Sequence, residues 1–339
     1  MRAWSLPDTR GPQAYALGRL EDPQPGPGEV RVALRASALN HLDLWVAHGM
    51  PAPPSFPHVP GADGAGIVDA VGPEVEVVAA GDEVVIDPST SCGQCEMCRR
   101  GEVPFCATFR IVGEHRWGTH AEHVVLPAVN VAPKPPSLSW AQAAGAGLVV
   151  SSAMRIARRG RIGAGTTVLV VGVSGGSATA AFEVARALGA TVYATSTNPQ
   201  ARAWAEQRGA AAAIDSAGAY GEQIRALTNG HGVDVVVDNV GTVTFERSIG
   251  ALARGGRLVT NGSTSGRTAE LHLPTLFWRQ LEVIGATMND HEEFAAGMAL
   301  VAGGTVEVPV DAEFPFEEYP AALARLEAGD QLGKLVLTR

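Results

Sequence analysis

The sequence predicts an α/β protein with two domains: a β-rich unit followed by a doubly wound parallel sheet. A length of 339 residues is typical of two domains. Hydrophobic residues make up 46% of the chain and charged residues 18%, which is the balance of a globular protein with a buried core. The order of the strand and helix patterns assigns each part of the chain to its class.

The first 130 residues carry short strand patterns that are separated by proline and glycine. Strands are predicted at 29–34, 65–71 and 83–86, with turn-rich segments such as PQPGPGE between them. No long helical pattern follows any of these strands. We therefore expect a barrel-like antiparallel fold in this part of the chain.

The pattern changes near Lys134, where strands begin to alternate with helices. Strands are predicted at 167–171, 191–194, 212–214, 233–237, 257–260 and 282–285, and helices at 179–188 and 199–208. Such alternation is typical of a parallel, doubly wound sheet. A last strand at 334–337 is expected to return to the first domain. The predicted domains are residues 1–130 with 275–339, and residues 131–274.

All four cysteines lie within fifteen positions, spaced C-x2-C-x2-C-x7-C: Cys92, Cys95, Cys98 and Cys106. Four thiolates so close in sequence predict a tetrahedral zinc site in a lobe at 89–108. Disulfides are disfavoured, because we find no secretory signal and a chain of this length does not need them. The site is closed by four protein ligands, so we expect one structural zinc ion.

Charge and hydropathy limit the partners. The net charge is −9, with no basic stripe that would indicate a nucleic-acid partner. No apolar run reaches the roughly 18 residues that a membrane helix needs. We expect a cytoplasmic protein that acts on a small molecule, with no nucleic acid and no membrane partner, as a homodimer or homotetramer.

A glycine-rich turn follows the strand at 167–171 and precedes a helix. In dinucleotide-binding proteins such glycines let the backbone approach a pyrophosphate, and the helix N-terminus supplies amides and a positive dipole. Ala178 stands where a third glycine is often found. The candidate cofactor-binding residues of this turn are Gly172, Ser174, Gly175, Gly176 and Ser177.

The next strand ends in ATSTN, without the Asp or Glu that usually holds the ribose 2′-hydroxyl of NAD. Ser196 and Thr197 leave room for a 2′-phosphate, and Arg202 follows a few residues later. The alternative interpretation is an ordinary polar turn. We expect NADPH as the cofactor, with NADH also possible.

At this point the chain resembles the medium-chain dehydrogenase/reductase superfamily, the group of zinc alcohol dehydrogenases and quinone oxidoreductases. The resemblance depends on the four-cysteine lobe, GVSGG, PGADGAGIVDAVG, VVDNVG and the final GKLVL. It implies a GroES-like first domain completed by the C-terminal segment, a Rossmann second domain, and an active site between them. It also implies backbone contacts to the nicotinamide from two loops, at Val240, Gly241, Asn261, Gly262 and Ser263.

The chain departs from the zinc alcohol dehydrogenases at the catalytic metal. By resemblance, Asn40 replaces a zinc-ligand cysteine, and GAD at 61–63 replaces a Gly-His-Glu motif. A third ligand would fall in residues 143–150, which contain neither cysteine nor acid. We therefore expect no catalytic zinc. The Asn-x-x-Asp pattern at 40–43 resembles the quinone oxidoreductases, which work without metal.

Without a metal, we expect hydride transfer to an activated C=C, C=N or conjugated carbonyl. Asn40 is the candidate donor to a substrate oxygen, and Asp43 is expected to orient the loop, although both residues also suit a simple helix cap. His41 either contacts the cofactor phosphates or packs, and His115 either donates a proton or lies in a solvated loop. Two rival hypotheses are an NAD(P)-dependent alcohol dehydrogenase and a catalytically idle cofactor-binding or redox-sensing homologue.

Overall fold

A computed structural model describes all 339 residues. The chain forms two compact units. The first comprises Met1–Leu148, Asn289–Met298 and Pro309–Arg339, and the second comprises Val149–Met288 and Ala299–Val308. The domain limits at residues 130 and 274 remain a prediction. None of the helices combines the length and the apolar composition that crossing a membrane requires.

The N-terminal part of the chain is rich in strands and has only two short α-helices. Its elements are β1 (Arg2–Ser5), β2 (Ala16–Arg19), β3 (Glu29–Ala38), α1 (His41–Ala47), β4 (Asp63–Val71), β5 (Glu83–Ile86), β6 (Ser89–Thr90), α2 (Glu96–Arg99), β7 (Arg110–Ile111), β8 (His123–Pro127) and β9 (Val131–Pro133). This confirms the predicted β-rich character of the first part.

From residue 140 helices alternate with strands. The elements are α3 (Trp140–Gly160), β10 (Thr167–Val171), α4 (Gly176–Ala187), β11 (Thr191–Ser196), α5 (Pro199–Gln207), β12 (Ala212–Asp215), α6 (Tyr220–Leu227), β13 (Val233–Asp238), α7 (Phe245–Ala251), β14 (Leu252–Thr260), α8 (Leu273–Trp278) and β15 (Glu282–Gly285). The chain ends with α9 (His291–Ala302), β16 (Val310–Pro315), α10 (Tyr319–Ala328) and β17 (Lys334–Thr338).

The second unit is built on a six-stranded sheet with the order β12-β11-β10-β13-β14-β15. Every neighbouring pair is parallel, and the order is that of a doubly wound nucleotide-binding sheet. The sequence TVLVV of β10 explains its central place, because a strand that is covered on both faces needs apolar side chains on both. The predicted doubly wound fold is confirmed.

The first unit contains a seven-stranded sheet with the order β16-β17-β3-β4-β5-β9, and β8 also pairs with β3. All of its pairs are antiparallel except β16 with β17. The long strand β3 pairs with β8 along its first half and with β17 at its end. The C-terminal strand β17 is therefore part of this sheet, as the sequence predicted.

Candidate active site and metal centre

Three polar side chains meet just beyond the end of β3, where β17 and β4 pair with it. The register places Val336 opposite Ala38 on one side and Asp63 opposite Ala38 on the other. Continued by two residues, the antiparallel register of β17 brings Lys334 opposite Asn40. Sheet pairing thus gathers residues that lie as many as 294 positions apart in the chain.

The side chains of Asn40, Asp63 and Lys334 form a closed ring of hydrogen bonds. Lys334 Nζ donates to Asn40 Oδ1 at 2.7 Å and to Asp63 Oδ2 at 2.8 Å. Asn40 Nδ2 donates to the same Asp63 oxygen at 3.0 Å. The side chains of Lys334 and Asp63 are only 2% and 0% exposed, so this ion pair is buried. A buried charge of this kind persists only when its partner and its hydrogen bonds are in place.

Helix α3 completes the surroundings of Asp63. Leu148 N donates to Asp63 Oδ1 at 2.8 Å. A Cβ at Gly147 would lie 3.0 Å from Ile86 O and 3.4 Å from Asp63 Oδ1, so the absence of a side chain allows the helix to come close. By resemblance, a third metal ligand would fall in this segment. Here the segment supplies a backbone N–H to the carboxylate instead.

Asp43 holds the turn that precedes α1. Its Oδ2 accepts a hydrogen bond from Asn40 N at 2.9 Å, and the Asn40 carbonyl accepts one from Asp43 N at the same distance. Asp43 is buried. These contacts suit the predicted loop-orienting role of Asp43. The Asn40 side chain, in contrast, is engaged with the lysine and the aspartate, and its catalytic role remains a prediction.

The candidate histidines have different environments. His41 is partly exposed, and burial, followed by the nearby Lys334 charge, lowers its pKa. His115 is 39% exposed at its side chain, and its Nδ1 accepts a hydrogen bond from Ile111 N at 3.2 Å. His120 is fully buried, with its Nε2 3.5 Å from the Asp43 carboxylate. The proposed functions of His41 and His115 remain predictions.

The glycine-rich turn has the predicted strand–turn–helix geometry. Gly172 follows β10 with φ +75°, where a side chain would be strained and where its Cβ would lie 3.0 Å from Val240. Gly175 precedes α4, which runs for 12 residues. Val173 N donates to Thr195 O at 2.8 Å, which ties the turn to β11. The first amides of α4 therefore lie at the carboxyl edge of the parallel sheet.

Two loops at the same sheet edge contact each other. Asn261 Nδ2 donates to Ser177 Oγ at 3.0 Å, which links the loop after β14 to the start of α4. Asn261 Oδ1 is buried without a hydrogen-bond partner. A Cβ at Gly241 would lie 3.2 Å from Ser263 Cα, so the loops after β13 and β14 lie together. Two predicted cofactor-binding residues, Val240 and Asn261, thus lie against the glycine turn, and Gly241, Gly262 and Ser263 follow them in the same two loops.

Asp238, which the sequence reasoning did not assign, shapes the loop after β13. One carboxylate oxygen accepts hydrogen bonds from Val240 N, Gly241 N and Thr244 Oγ1 at 2.9–3.1 Å. The other accepts one from Ser248 Oγ at 2.6 Å. A buried carboxylate with four donors is fully satisfied, and it fixes the course of this loop. In the sequence, the signal for this role is the position of Asp238 at the end of a buried strand.

The end of β11 differs from what the sequence alone suggested. Arg202 Nη1 donates to Ser196 O at 2.7 Å and to Thr197 O at 3.2 Å. The same nitrogen lies 3.7 Å from Asp215 Oδ2. Although β11 itself contains no acid, the neighbouring strand β12 places one directly beside Ser196. Sequence reasoning missed Asp215 because strand register is a property of the folded sheet.

The four cysteines form one cluster in the lobe between β6 and β7. All four sulfur atoms lie within 4.8 Å of one another, and three of the pairs are 3.5–3.8 Å apart. A zinc ion with Zn–S bonds of about 2.3 Å holds tetrahedral sulfurs about 3.8 Å apart. Cys95 N also donates to Cys92 Sγ at 3.4 Å. The donor set and its spacing therefore fit a closed tetrahedral metal site.

Comparison with known families assigns both parts of the chain. The family described as "Alcohol dehydrogenase GroES-like domain" matches residues 26–136, and "Zinc-binding dehydrogenase" matches residues 176–303. A zinc-type alcohol dehydrogenase-like protein of Schizosaccharomyces pombe is 30% identical over 92% of this chain and 91% of the relative. An acryloyl-coenzyme A reductase of Metallosphaera sedula is 28% identical over 96% of this chain and 97% of the relative.

A solved structure agrees with these relatives. The crystal structure of an NAD-dependent alcohol dehydrogenase is 41% identical, covers 100% of both chains and has a TM-score of 0.96. The fold, the glycine turn and these likenesses define a nicotinamide-dependent oxidoreductase. The chain belongs to the medium-chain dehydrogenase/reductase superfamily and is an NAD(P)-dependent dehydrogenase or reductase.

Proposed function

We propose that this enzyme transfers hydride to an activated C=C bond, C=N bond or conjugated carbonyl without a catalytic metal. The observation that carries the proposal is the bonding of both Asn40 and Asp63 to Lys334. By resemblance, Asn40 takes the place of a zinc-ligand cysteine and Asp63 lies beside the place of a ligand histidine. Their oxygens bond an ammonium group, and Ala62 offers no ligand atom, so this donor set does not suit zinc.

A site without a metal suits an acceptor that spreads negative charge by itself. A bound NADPH or NADH supplies the hydride. Asn40 Nδ2 carries a second N–H, which would donate a hydrogen bond to the substrate oxygen that becomes negative. An enone, a quinone or an unsaturated thioester has such an oxygen. The acryloyl-coenzyme A reductase relative supports this substrate class, because its name describes reduction of a conjugated C=C bond.

We propose NADPH as the preferred cofactor, held by the residues around the glycine turn. These are Gly172, Ser174, Gly175, Gly176, Ser177, Ser196, Thr197, Arg202, Val240, Gly241, Asn261, Gly262 and Ser263. The Arg202 guanidinium at the end of β11 supports a preference for a 2′-phosphate. The Asp215 carboxylate opposes it, so we expect a modest preference.

We propose one structural zinc ion, held by Cys92, Cys95, Cys98 and Cys106. The closed set of four thiolates supports a structural role, because no position is left for a substrate or water.

An alternative function is NAD(P)-dependent alcohol dehydrogenation. The observation that favours it is the 41% identity to a structure named as an NAD-dependent alcohol dehydrogenase. An alcohol substrate would then have to be oxidised with Asn40 and Lys334 in place of a metal.

We also propose a homodimer or homotetramer. Helix α8 and the edge strand β15 expose large apolar side chains, with Leu273 63%, Phe277 61%, Trp278 72% and Val283 41% exposed. A patch of this kind is typical of a surface that another chain covers. The cytoplasmic location remains a prediction.

An acceptor panel tests the proposed reaction. Purified enzyme is assayed with NADPH against an enone, a quinone, a cyclic iminium ion and an acryloyl thioester, and with NADP+ and NAD+ against primary and secondary alcohols. We expect oxidation of NADPH by at least one conjugated acceptor, with a preparation that contains only about one zinc ion per chain. Turnover of alcohols alone would support the alcohol dehydrogenase and overturn the proposal.

A further inference from the structure

The chain contains only two lysines, Lys134 and Lys334, among 26 basic residues. Lys134 pairs with Glu83 at 3.2 Å, and the Glu83 side chain is 52% exposed. Lys334 pairs with Asp63, and neither side chain reaches solvent. The two lysines thus make similar ion pairs in different surroundings, and only Lys334 also bonds a candidate active-site residue.

The ring of bonds fixes which way the Asn40 amide faces. An ammonium group only donates hydrogen bonds, and a carboxylate only accepts them. The amide oxygen must therefore face Lys334, and the amide nitrogen must face Asp63. The opposite orientation would place N–H against N–H and oxygen against oxygen. The second N–H of Nδ2 then projects from the ring in one direction only.

The ammonium group also changes the amide electronically. A charged donor on the carbonyl oxygen draws electron density from the amide and strengthens its N–H groups as donors. Asp63 balances the charge, and its other oxygen is satisfied by Leu148 N. Replacement of the lysine by an apolar side chain would remove the polarising charge and release the Asn40 oxygen.

We propose that Lys334 is a positioning residue for the reaction, which orients and polarises the Asn40 amide so that its free N–H stabilises the negative charge on the substrate. This inference rests on the proposed function, because it assigns a task to the Asn40 donor. Lys334 itself acts through Asn40 and does not contact the reacting atoms.

A double-mutant cycle tests the coupling. Single-turnover reduction of an enone or acryloyl thioester by NADPH is measured for the parent, N40A, K334M and the double variant, together with the dissociation constant for NADPH. We expect K334M and N40A each to slow the reaction on the order of tenfold, with NADPH binding unchanged. In the N40A background, K334M should have no further effect, because the group through which it acts is absent.

K134M is the matched control, since it removes the other lysine and its ion pair, and it should leave the rate unchanged. If K334M fails to fold, the K334M/D63N pair takes its place in both arms of the cycle, so that both buried charges are removed together. If the rate losses of N40A and K334M multiply in the double variant, the two residues act independently. That result would overturn this inference and leave the proposed function standing. Absence of turnover in the parent would overturn the proposed function and this inference with it.

Discussion

Ser196 and Asp215 lie side by side, in register, at the ends of the neighbouring parallel strands β11 and β12. Arg202 bridges the pair, because its Nη1 donates to Ser196 O and lies 3.7 Å from the Asp215 carboxylate. The edge of the sheet where a ribose 2′ group is expected therefore holds one cation and one anion. Cofactor preference should follow the balance between them.

Replacing Asp215 with Asn should increase the preference for NADPH over NADH. The 2′-phosphate would no longer be repelled, and Arg202 would lose a competing partner. Because the Asp215 side chain is 55% exposed, the effect should be modest, about threefold to fivefold in the ratio of dissociation constants.

Nucleotide fluorescence titrations with both cofactors measure this ratio. E206Q is the control, since it removes an exposed negative charge from α5, the helix that carries Arg202. Equal changes in NADH and NADPH affinity for D215N would argue against a role for Asp215 in selection.

Asn40→Ala should reduce turnover of a conjugated acceptor and leave NADPH affinity nearly unchanged. Loss of one donor to a developing oxyanion typically costs on the order of 3 kcal/mol, or about a hundredfold in rate. A conjugated acceptor spreads the charge, so the expected loss is smaller, roughly tenfold. Single-turnover rates check this prediction. Rates equal to those of the parent would leave Asn40 only a structural role.

Cys95→Ser should lose the metal and lower stability. Zinc binding contributes to folding directly when the unfolded chain has no preformed site. Elemental analysis of the parent should give about one zinc ion per chain. Thermal unfolding with and without a chelator should distinguish parent from variant.

S91A is a suitable control for this experiment, because it removes a hydroxyl 3.3 Å from Cys98 Sγ and keeps all four thiolates. The four cysteines can account for one zinc ion only. Two zinc ions per chain in the parent would therefore contradict the proposal of a metal-free active site.

Glu114 should make stability depend on pH. Burial raises the pKa of this carboxyl from its usual 4.5 to about 7. The folded state therefore keeps a proton that the unfolded state releases, so the stabilising contribution is complete below about pH 4.5 and is lost as the pH rises through about 7. E114Q is neutral in both states and should not show this loss.

Chemical unfolding at about pH 5, 6, 7 and 8 measures the effect. The difference in unfolding free energy, parent minus E114Q, should fall across this range. E76Q replaces an exposed carboxylate, and its unfolding free energy should change with pH in the same way as that of the parent. A constant difference between the parent and E114Q would show that Glu114 titrates alike in both states.

Trp278→Glu should weaken self-association. The side chain is 72% exposed on α8, and a carboxylate would have to be desolvated within an apolar interface. Light scattering with size-exclusion chromatography measures the mass across a dilution series. V77E, at another exposed apolar residue, serves as a control. An unchanged mass for W278E would place the interface elsewhere.

Much of the fold follows from local sequence signals. The strands Glu83–Ile86, Thr167–Val171 and Glu282–Gly285 have the predicted bounds, because apolar runs ended by glycine or charge define them locally. The cysteine cluster was equally predictable from the sequence, since its ligands lie within one short lobe. These features depend on neighbours in the chain rather than on tertiary contacts.

The ring of Asn40, Asp63 and Lys334 was not predictable in the same way. The sequence marked the first two residues as departures from a metal site, but Lys334 appeared only as the start of a terminal strand. Lys334 comes close to Asn40 because β17 pairs with β3, and this pairing joins distant parts of the chain. A lysine at the start of a buried strand was the only available signal.

The buried ring also limits how such a site can change during evolution. A dication and an ammonium group would not be neutralised by the Asp63 carboxylate together with one thiolate ligand at 40, so a gain of metal ligands at 40 and 62 would leave excess positive charge in the protein interior. Loss of the lysine before the ligands appear would instead leave the carboxylate without a counter-charge, at a cost of about 3–5 kcal/mol. Either order passes through an unfavourable intermediate. If the site is metal-free as proposed, a barrier in sequence space separates it from a metal-dependent form on the same fold.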